Sequence, residues 1–257
     1  MDYIGDSIVY RLVWFQHIHK AAGTLIVNMA KANNEKMYIP NNNGNPTDDN
    51  GVVLPLWEYN NFELSKFIDN CEENGVTFIA TESGAPDFSV LEMDKRITLI
   101  TCLRDPKKRL ISNHNYAYYS GYTEEEKLVN FIHKPNIFLS DNYYVRIFSN
   151  NGDFPDKILN EEDYKNAVEN IFKFDLIINL DCDDVQEKLK FELDWRNKNV
   201  DRHSTFGNKW NMINLFKKLQ FRKLKKYLKK EKIDSDISCI KNKYKLDYRL
   251  MKEIFKE

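Results

Sequence analysis

Apolar residues in this chain fall into short blocks separated by longer amphipathic ones. Ile8 to Phe15, broken only by Arg11, Val76 to Ala80 (VTFIA), Ile97 to Leu103 (ITLITCL) and Phe174 to Asn179 (FDLIIN) have the length and composition of buried strands. Between and after them, helical spacing covers Thr24 to Lys31, Phe62 to Asn70, Asp141 to Phe148, Glu162 to Phe172 and Asp184 to Trp195. Pro106 marks the first turn of a helix running to Tyr119, and Thr123 with Glu126 has the spacing of a capping box for the next one. Strands alternating with helices predict an α/β fold, with a central parallel sheet flanked by helices on both faces. Asn33 to Asn50, dense in Asn, Gly, Pro and Asp, reads as an irregular excursion. The last fifty residues or so are helical and basic, and are expected to pack onto the sheet.

Composition narrows this picture. A chain of 257 residues with 42% hydrophobic and 13% aromatic content suits a single α/β domain, 1–257, with a variable stretch at 33–65 and a helical basic segment at 209–257. A net charge of −1 argues against a protein dedicated to nucleic acid. Cys71, Cys102, Cys182 and Cys239 have neither metal-ligand nor redox spacing, which matches reduced thiols, and no ligand cluster at zinc or calcium spacing is seen, so no metal is expected. The first residues lack a basic stretch followed by a long apolar one, and no window approaches the ~18 apolar residues of a membrane span. A cytoplasmic chain without a membrane span is therefore expected.

The chemistry gathers in two stretches. In Trp14 to Asn28 (WFQHIHKAAGTLIVN), a strand turns through a single glycine into a helix. The first N–H groups of that helix lack intrahelical partners, and its macrodipole favours an anion. Gly23 allows close approach to the backbone, Thr24 offers a hydroxyl, and Lys20 brings a positive charge to the turn. The lysine precedes the glycine, so this is not a Walker A loop. In the second stretch, RDPKKRLISNHNYAY, Arg104 leaves the carboxyl end of a strand, where ligands bind in open α/β sheets, with Arg109 and Ser112 following on the helix. A guanidinium fork and a hydroxyl suit a terminal phosphate. Each stretch alone also matches an ordinary helix start.

His17, Ile18, Lys20, Gly23 and Thr24 together resemble the 5′-phosphosulfate loop of sulfotransferases that use 3′-phosphoadenylyl sulfate, whose membranous branch reads His-Ile-Pro-Lys-x-x-Gly-Thr-Ser. His19 replaces the usual proline, and Leu25 the usual second hydroxyl. Arg-Asp-Pro-x-x-Arg-x-x-Ser-x-x-x-Tyr, filled at every named position from Arg104 to Tyr116, is similar to the 3′-phosphate segment of the same family. Weaker similarities at Asn142 to Ser149, Phe174 to Trp195 and Tyr244 to Leu250 extend the match over most of the chain. The branch includes heparan sulfate 2-O-sulfotransferase.

That resemblance implies an enzyme taking 3′-phosphoadenylyl sulfate (PAPS) as donor, releasing adenosine 3′,5′-bisphosphate (PAP), and sulfating a hydroxyl, most naturally on an oligo- or polysaccharide. It implies a 5′-phosphosulfate loop of Lys20, Ala21, Ala22, Gly23, Thr24 and Leu25, and 3′-phosphate contacts from Arg104 and Ser112, with Arg109 as a secondary charge. Arg202 or Lys209, in the loop Asn199 to Lys209, is a further candidate for the 3′-phosphate. The branch carries its base as a histidine at the end of the second strand, where this chain has Glu82; Glu82 is the substitute, with His17 and His19 competing. Lys217 to Lys232, with nine basic residues among Leu219, Phe221, Leu224 and Leu228, reads either as an amphipathic helix with a solvated face or as a polyanion-binding strip. Trp57, Tyr59, Tyr116, Tyr119 and Tyr122 are candidates for stacking on sugar rings or for packing. Two other functions remain open: a P-loop nucleotide kinase or phosphotransferase, and a non-catalytic anion- or glycan-binding module.

Overall fold

The computed structural model describes residues 10–134, 136–150, 157–197, 200, 209–231 and 242–256. Four parallel strands, β1 (Leu12–Gln16), β4 (Phe78–Thr81), β5 (Ile97–Leu103) and β6 (Leu176–Asn179), form the central sheet in the order β4-β1-β5-β6. A two-residue antiparallel pair, β2 (Asn41–Asn42) and β3 (Asn45–Pro46), lies within the Asn-rich excursion. Register aligns Gln16 with Thr81 on one side and with Thr101 on the other, so the loops after all four strands emerge along one edge.

Alternation along β1 divides the core. Leu12 and Trp14 face one side with Ile79, Leu99 and Leu103. Helices α2 (Asn61–Glu73), α3 (Phe88–Met93), α6 (Tyr143–Phe148), α7 (Glu161–Ile171) and α11 (Lys245–Phe255) cover that side. Val13 and Phe15 face the other side, under α1 (Gly23–Ala32) and α8 (Val185–Leu193). The sheet is thus covered on both faces, which is why its strands are almost uninterrupted apolar runs.

The remaining helices are α4 (Pro106–Tyr119), α5 (Leu128–Phe131), α9 (Lys209–Lys217) and α10 (Phe221–Leu228). Two expectations are revised and one helix is added. The turn at Thr123 and Glu126 opens no helix: Thr123 Oγ accepts from Glu125 N, while Glu126 takes Tyr118 and Lys226, and α5 starts later. The helix α3, absent from the periodicity reading, is held by Asp87 accepting from Ser89 N. The basic helices α9 and α10 rest on the end of α4, through Tyr118, Tyr119, Leu215 and Tyr227, and not on the sheet. No helix among the described residues is long and apolar enough to cross a membrane.

Candidate functional site

A buried polar latch fixes the strand ends from which the site grows. Gln16 Nε2 donates to the carbonyls of Thr81 and Gly84, Thr81 Oγ1 donates to Gln16 Oε1, and Thr101 Oγ1 donates to Gln16 O. With these ends locked together, the loops after β1, β4, β5 and β6 open into one cleft of about 410 Å³, of a size suited to a small ligand. Lys20, Thr24, Glu82, Arg104, Ser112 and Asp183 line it.

After β1 the chain bends sharply. Lys20 (φ 66°) and Ala22 (φ 61°) both take left-handed conformations that L-residues adopt at a cost, a frequent mark of functional loops. Ala21 N–H closes the turn on Ile18 O at 2.9 Å, and α1 then begins at Gly23 with no side-chain cap. The N-terminus of α1 thus presents N–H groups and positive dipole to the cleft through Gly23, Thr24 and Leu25. The Lys20 ammonium lies 4.1 Å from the centre of the Tyr116 ring. Burial draws its pKa down to about 8, with Arg104 adding to the drop and Glu82 opposing it.

Gly23 has a steric role the sequence did not disclose. A Cβ there would stand 1.8 Å from His17 Nε2, so the imidazole fills the space a side chain would need. His17 is buried, stacked on Phe15 at 5.4 Å, and its Nδ1 lies 3.5 Å from Glu82 Oε1 without forming a hydrogen bond. Burial lowers its pKa, and His19 and Lys20 lower it further against the pull of Glu82.

Glu82 is the electrostatic hub. Its Oε1 takes His19 Nδ1 at 2.8 Å, and its N–H donates to Asn45 Oδ1 at 2.9 Å. Burial alone would raise its pKa, but His17, the His19 hydrogen bond and Lys20 together bring it down to about 2. His19 is clamped on its other sides: its ring stacks on Phe138 at 4.0 Å, and Nε2 lies 3.3 Å from Asn113 Oδ1. Asn113 Nδ2 is buried with no partner among the described residues. Turning that amide end for end satisfies it by donation to His19 Nε2.

Arg104 and Ser112 reach the same cleft from the end of β5 and from α4. The α4 N-terminus is capped by Asp105, whose side chain accepts from Lys108 N at 2.8 Å. Asp181, just beyond β6, takes Asp105 N and Lys108 Nζ, tying the loops after β5 and β6 together. Arg104 Nε stands 4.0 Å from Asp181 Oδ1 and has no hydrogen-bond partner among the described residues. Ser112 and Tyr116, one helical turn apart, share the cleft-facing side of α4.

The expected residues separate into two groups. Lys20, Ala22, Gly23, Thr24, Leu25, Glu82, Arg104, Ser112 and His17 line one cleft. Ala21 and Arg109 do not line it. Ala21 is fully buried. Arg109 is enclosed too, its guanidinium 4.3 Å from the Tyr143 ring centre and Nη2 donating to Phe138 O at 3.1 Å. A wholly buried guanidinium stacked on tyrosine supports Phe138, against which His19 stacks, and lies outside the cleft lining. Arg202 lies outside the described residues.

Sequence reasoning missed Asn43, Asn113, Phe138, Asp181 and Asp183. Asn43 reaches the cleft from the excursion between α1 and α2, where only the Asn- and Gly-rich turn signal marked it. Asn113 follows Ser112 on α4, but its contact with His19 depends on a packing between distant segments. Among the described residues no three His, Cys, Asp or Glu side chains are grouped to hold a metal. A scan against protein-family models and a search of curated proteins returned no match to this chain.

Proposed function

We propose that this protein is a sulfotransferase, moving a sulfuryl group from 3′-phosphoadenylyl sulfate to an acceptor hydroxyl, most naturally of a carbohydrate. One observation carries the reading: Lys20 with the uncapped start of α1, and Arg104 with Ser112, line one cleft although they come from two different strand ends. Two cationic segments delivered from separate strand ends suit a ligand with two phosphates, whereas a single phosphate needs only one of them.

In this reading the acceptor oxygen attacks sulfur in line as the bond from sulfur to the 5′-phosphate oxygen breaks. Lys20 and the α1 N–H groups hold the charge gathering on that departing phosphate, while Arg104 and Ser112 fix the 3′-phosphate. A carboxylate held at about 2 has little affinity for the acceptor proton by itself. Glu82 therefore works with His19: it orients the ring through Nδ1, and the proton goes to Nε2 when the acceptor hydroxyl displaces Asn113. His17, packed behind Gly23, keeps the pair in place.

Calorimetric titration with adenosine 3′,5′-bisphosphate and with ADP, each with and without magnesium, tests the donor. Magnesium-independent preference for the bisphosphate is expected; magnesium-dependent preference for ADP would make the protein a nucleotide phosphotransferase instead. Transfer from labelled donor to a panel of glycans, phenols and tyrosine peptides then tests turnover. Tight bisphosphate binding with no transfer to any of them would leave the non-catalytic binding module as the reading.

A further inference from the structure

The basic segment that the cleft does not use packs one apolar side on α4 through Leu215, Leu224 and Tyr227 and turns a second apolar stripe outward. On α10, Lys223 and Tyr227 face inward: Lys223 is buried, its Nζ on Glu124 at 2.8 Å and 4.3 Å from the Tyr118 ring centre. Phe221, Lys225 and Leu228, spaced along the opposite stripe, face solvent, with Phe221 56% and Leu228 63% exposed. A helix that merely covers a core leaves no such second stripe in water. α9 continues the pattern through Trp210, Ile213 and Phe216, and Leu219 at the turn between the helices is 70% exposed. The Phe216 and Phe221 rings meet at 6.1 Å, so the apolar side chains of the two helices converge at that turn.

Charge selects what covers this face. Residues 209–231 carry nine Lys and Arg against one acidic residue, Glu231. Arg222, Lys223 and Lys226 pair with Glu124 and Glu126 below. Lys217, Lys218, Lys225 and Lys230 stand exposed among the apolar side chains. An acidic polysaccharide would use those lysines and leave Phe216, Leu219 and Phe221 in water. An apolar protein partner would use the aromatics and gain nothing from so many ammonium groups. Anionic lipid uses both: rings and leucines enter the acyl boundary while lysines reach back to the headgroups.

We propose that the α9–α10 hairpin is a peripheral docking surface for an anionic lipid bilayer. Bound this way, the chain lies on the membrane without crossing it. The hairpin abuts the C-terminal end of α4, the helix that also carries Ser112 and Tyr116 into the cleft. Docking therefore holds the cleft at a fixed height above the lipid.

Cosedimentation of the full chain with phosphatidylcholine vesicles, alone and doped with phosphatidylserine, tests this. Binding is expected only to the doped vesicles, weakening as salt is raised. Brominated acyl chains should quench Trp210 fluorescence. Replacing Lys225, Lys229 and Lys230 by Gln should weaken binding by roughly two orders of magnitude. The triple change Phe216→Ser, Leu219→Ser and Phe221→Ser should abolish sedimentation with an unchanged melting temperature, because these side chains are already in water. No sedimentation with doped vesicles overturns the proposal. So does undiminished binding of the Ser variant, which would make the surface a site for polyanions generally. A stable dimer that the Ser variant splits would likewise assign the face to a second copy.

Discussion

Gly23 and His17 are one unit, because the ring of one occupies the side-chain volume of the other. Gly23→Ala should therefore cost about 1–3 kcal/mol in denaturant unfolding, as overpacking does, and Gly23→Ala with His17→Ala should recover part of it. Lys20 makes a different prediction. Lys20→Ala should leave the fold intact and lower turnover ~10²–10³-fold, the usual loss for one well-placed electrostatic donor. Because the ammonium loses its proton near pH 8, kcat/KM should fall as the pH rises past about 8. Asp247, fully buried and accepting from Tyr144 N and Val145 N, controls stability at a distance from the cleft. Burial raises its pKa to about 7 from an ordinary 3.8, against the pull of Val145 N, Arg109 and Tyr144 N. The folded chain thus holds this proton more tightly than the unfolded one. Its contribution is fully present below about pH 3.8 and is lost as the pH climbs to about 7. Unfolding free energies measured across that window should decline in the wild type and decline less in Asp247→Asn.

Among the elements, α4 matters most to the cleft, since it follows directly on Arg104 and its cap Asp105, carries Ser112 and Tyr116 and ends on the basic hairpin. Its cap is a single carboxylate. Asp105→Ala should lower stability by about 1 kcal/mol, and Asp105→Asn should retain most of it, in equilibrium denaturation. The span of α4 was legible to the residue, because Pro106 fixes its start and β5 before it is an unbroken apolar run. The four strands and the convergence of Lys20 with Arg104 were legible for a similar reason: parallel strands deliver their following loops to one edge. What local pattern did not carry was anything decided by distant packing. Arg109 has the spacing of a ligand but turns onto Tyr143, and His19 acquires its importance only from Glu82, Asn113 and Phe138. The outward stripe of α10 has the periodicity of an inward one, and only the burial of Lys223 tells them apart.

At the scale of the molecule, basic residues gather at two places. The cleft gathers Lys20 and Arg104 with the Glu82 carboxylate, and the hairpin proposed to face lipid, basic and apolar at once, abuts the C-terminal end of α4. The cleft draws on segments from His17 to Val185, brought together only by the assembled sheet. No proteolytic fragment short of that span can hold its ligand. Occupancy is consequently a gauge of global integrity: adenosine 3′,5′-bisphosphate at a hundred times its Kd should add about 2.7 kcal/mol to unfolding and raise Tm. A thermal-shift screen of phosphorylated metabolites would identify the natural occupant even while the acceptor is unknown.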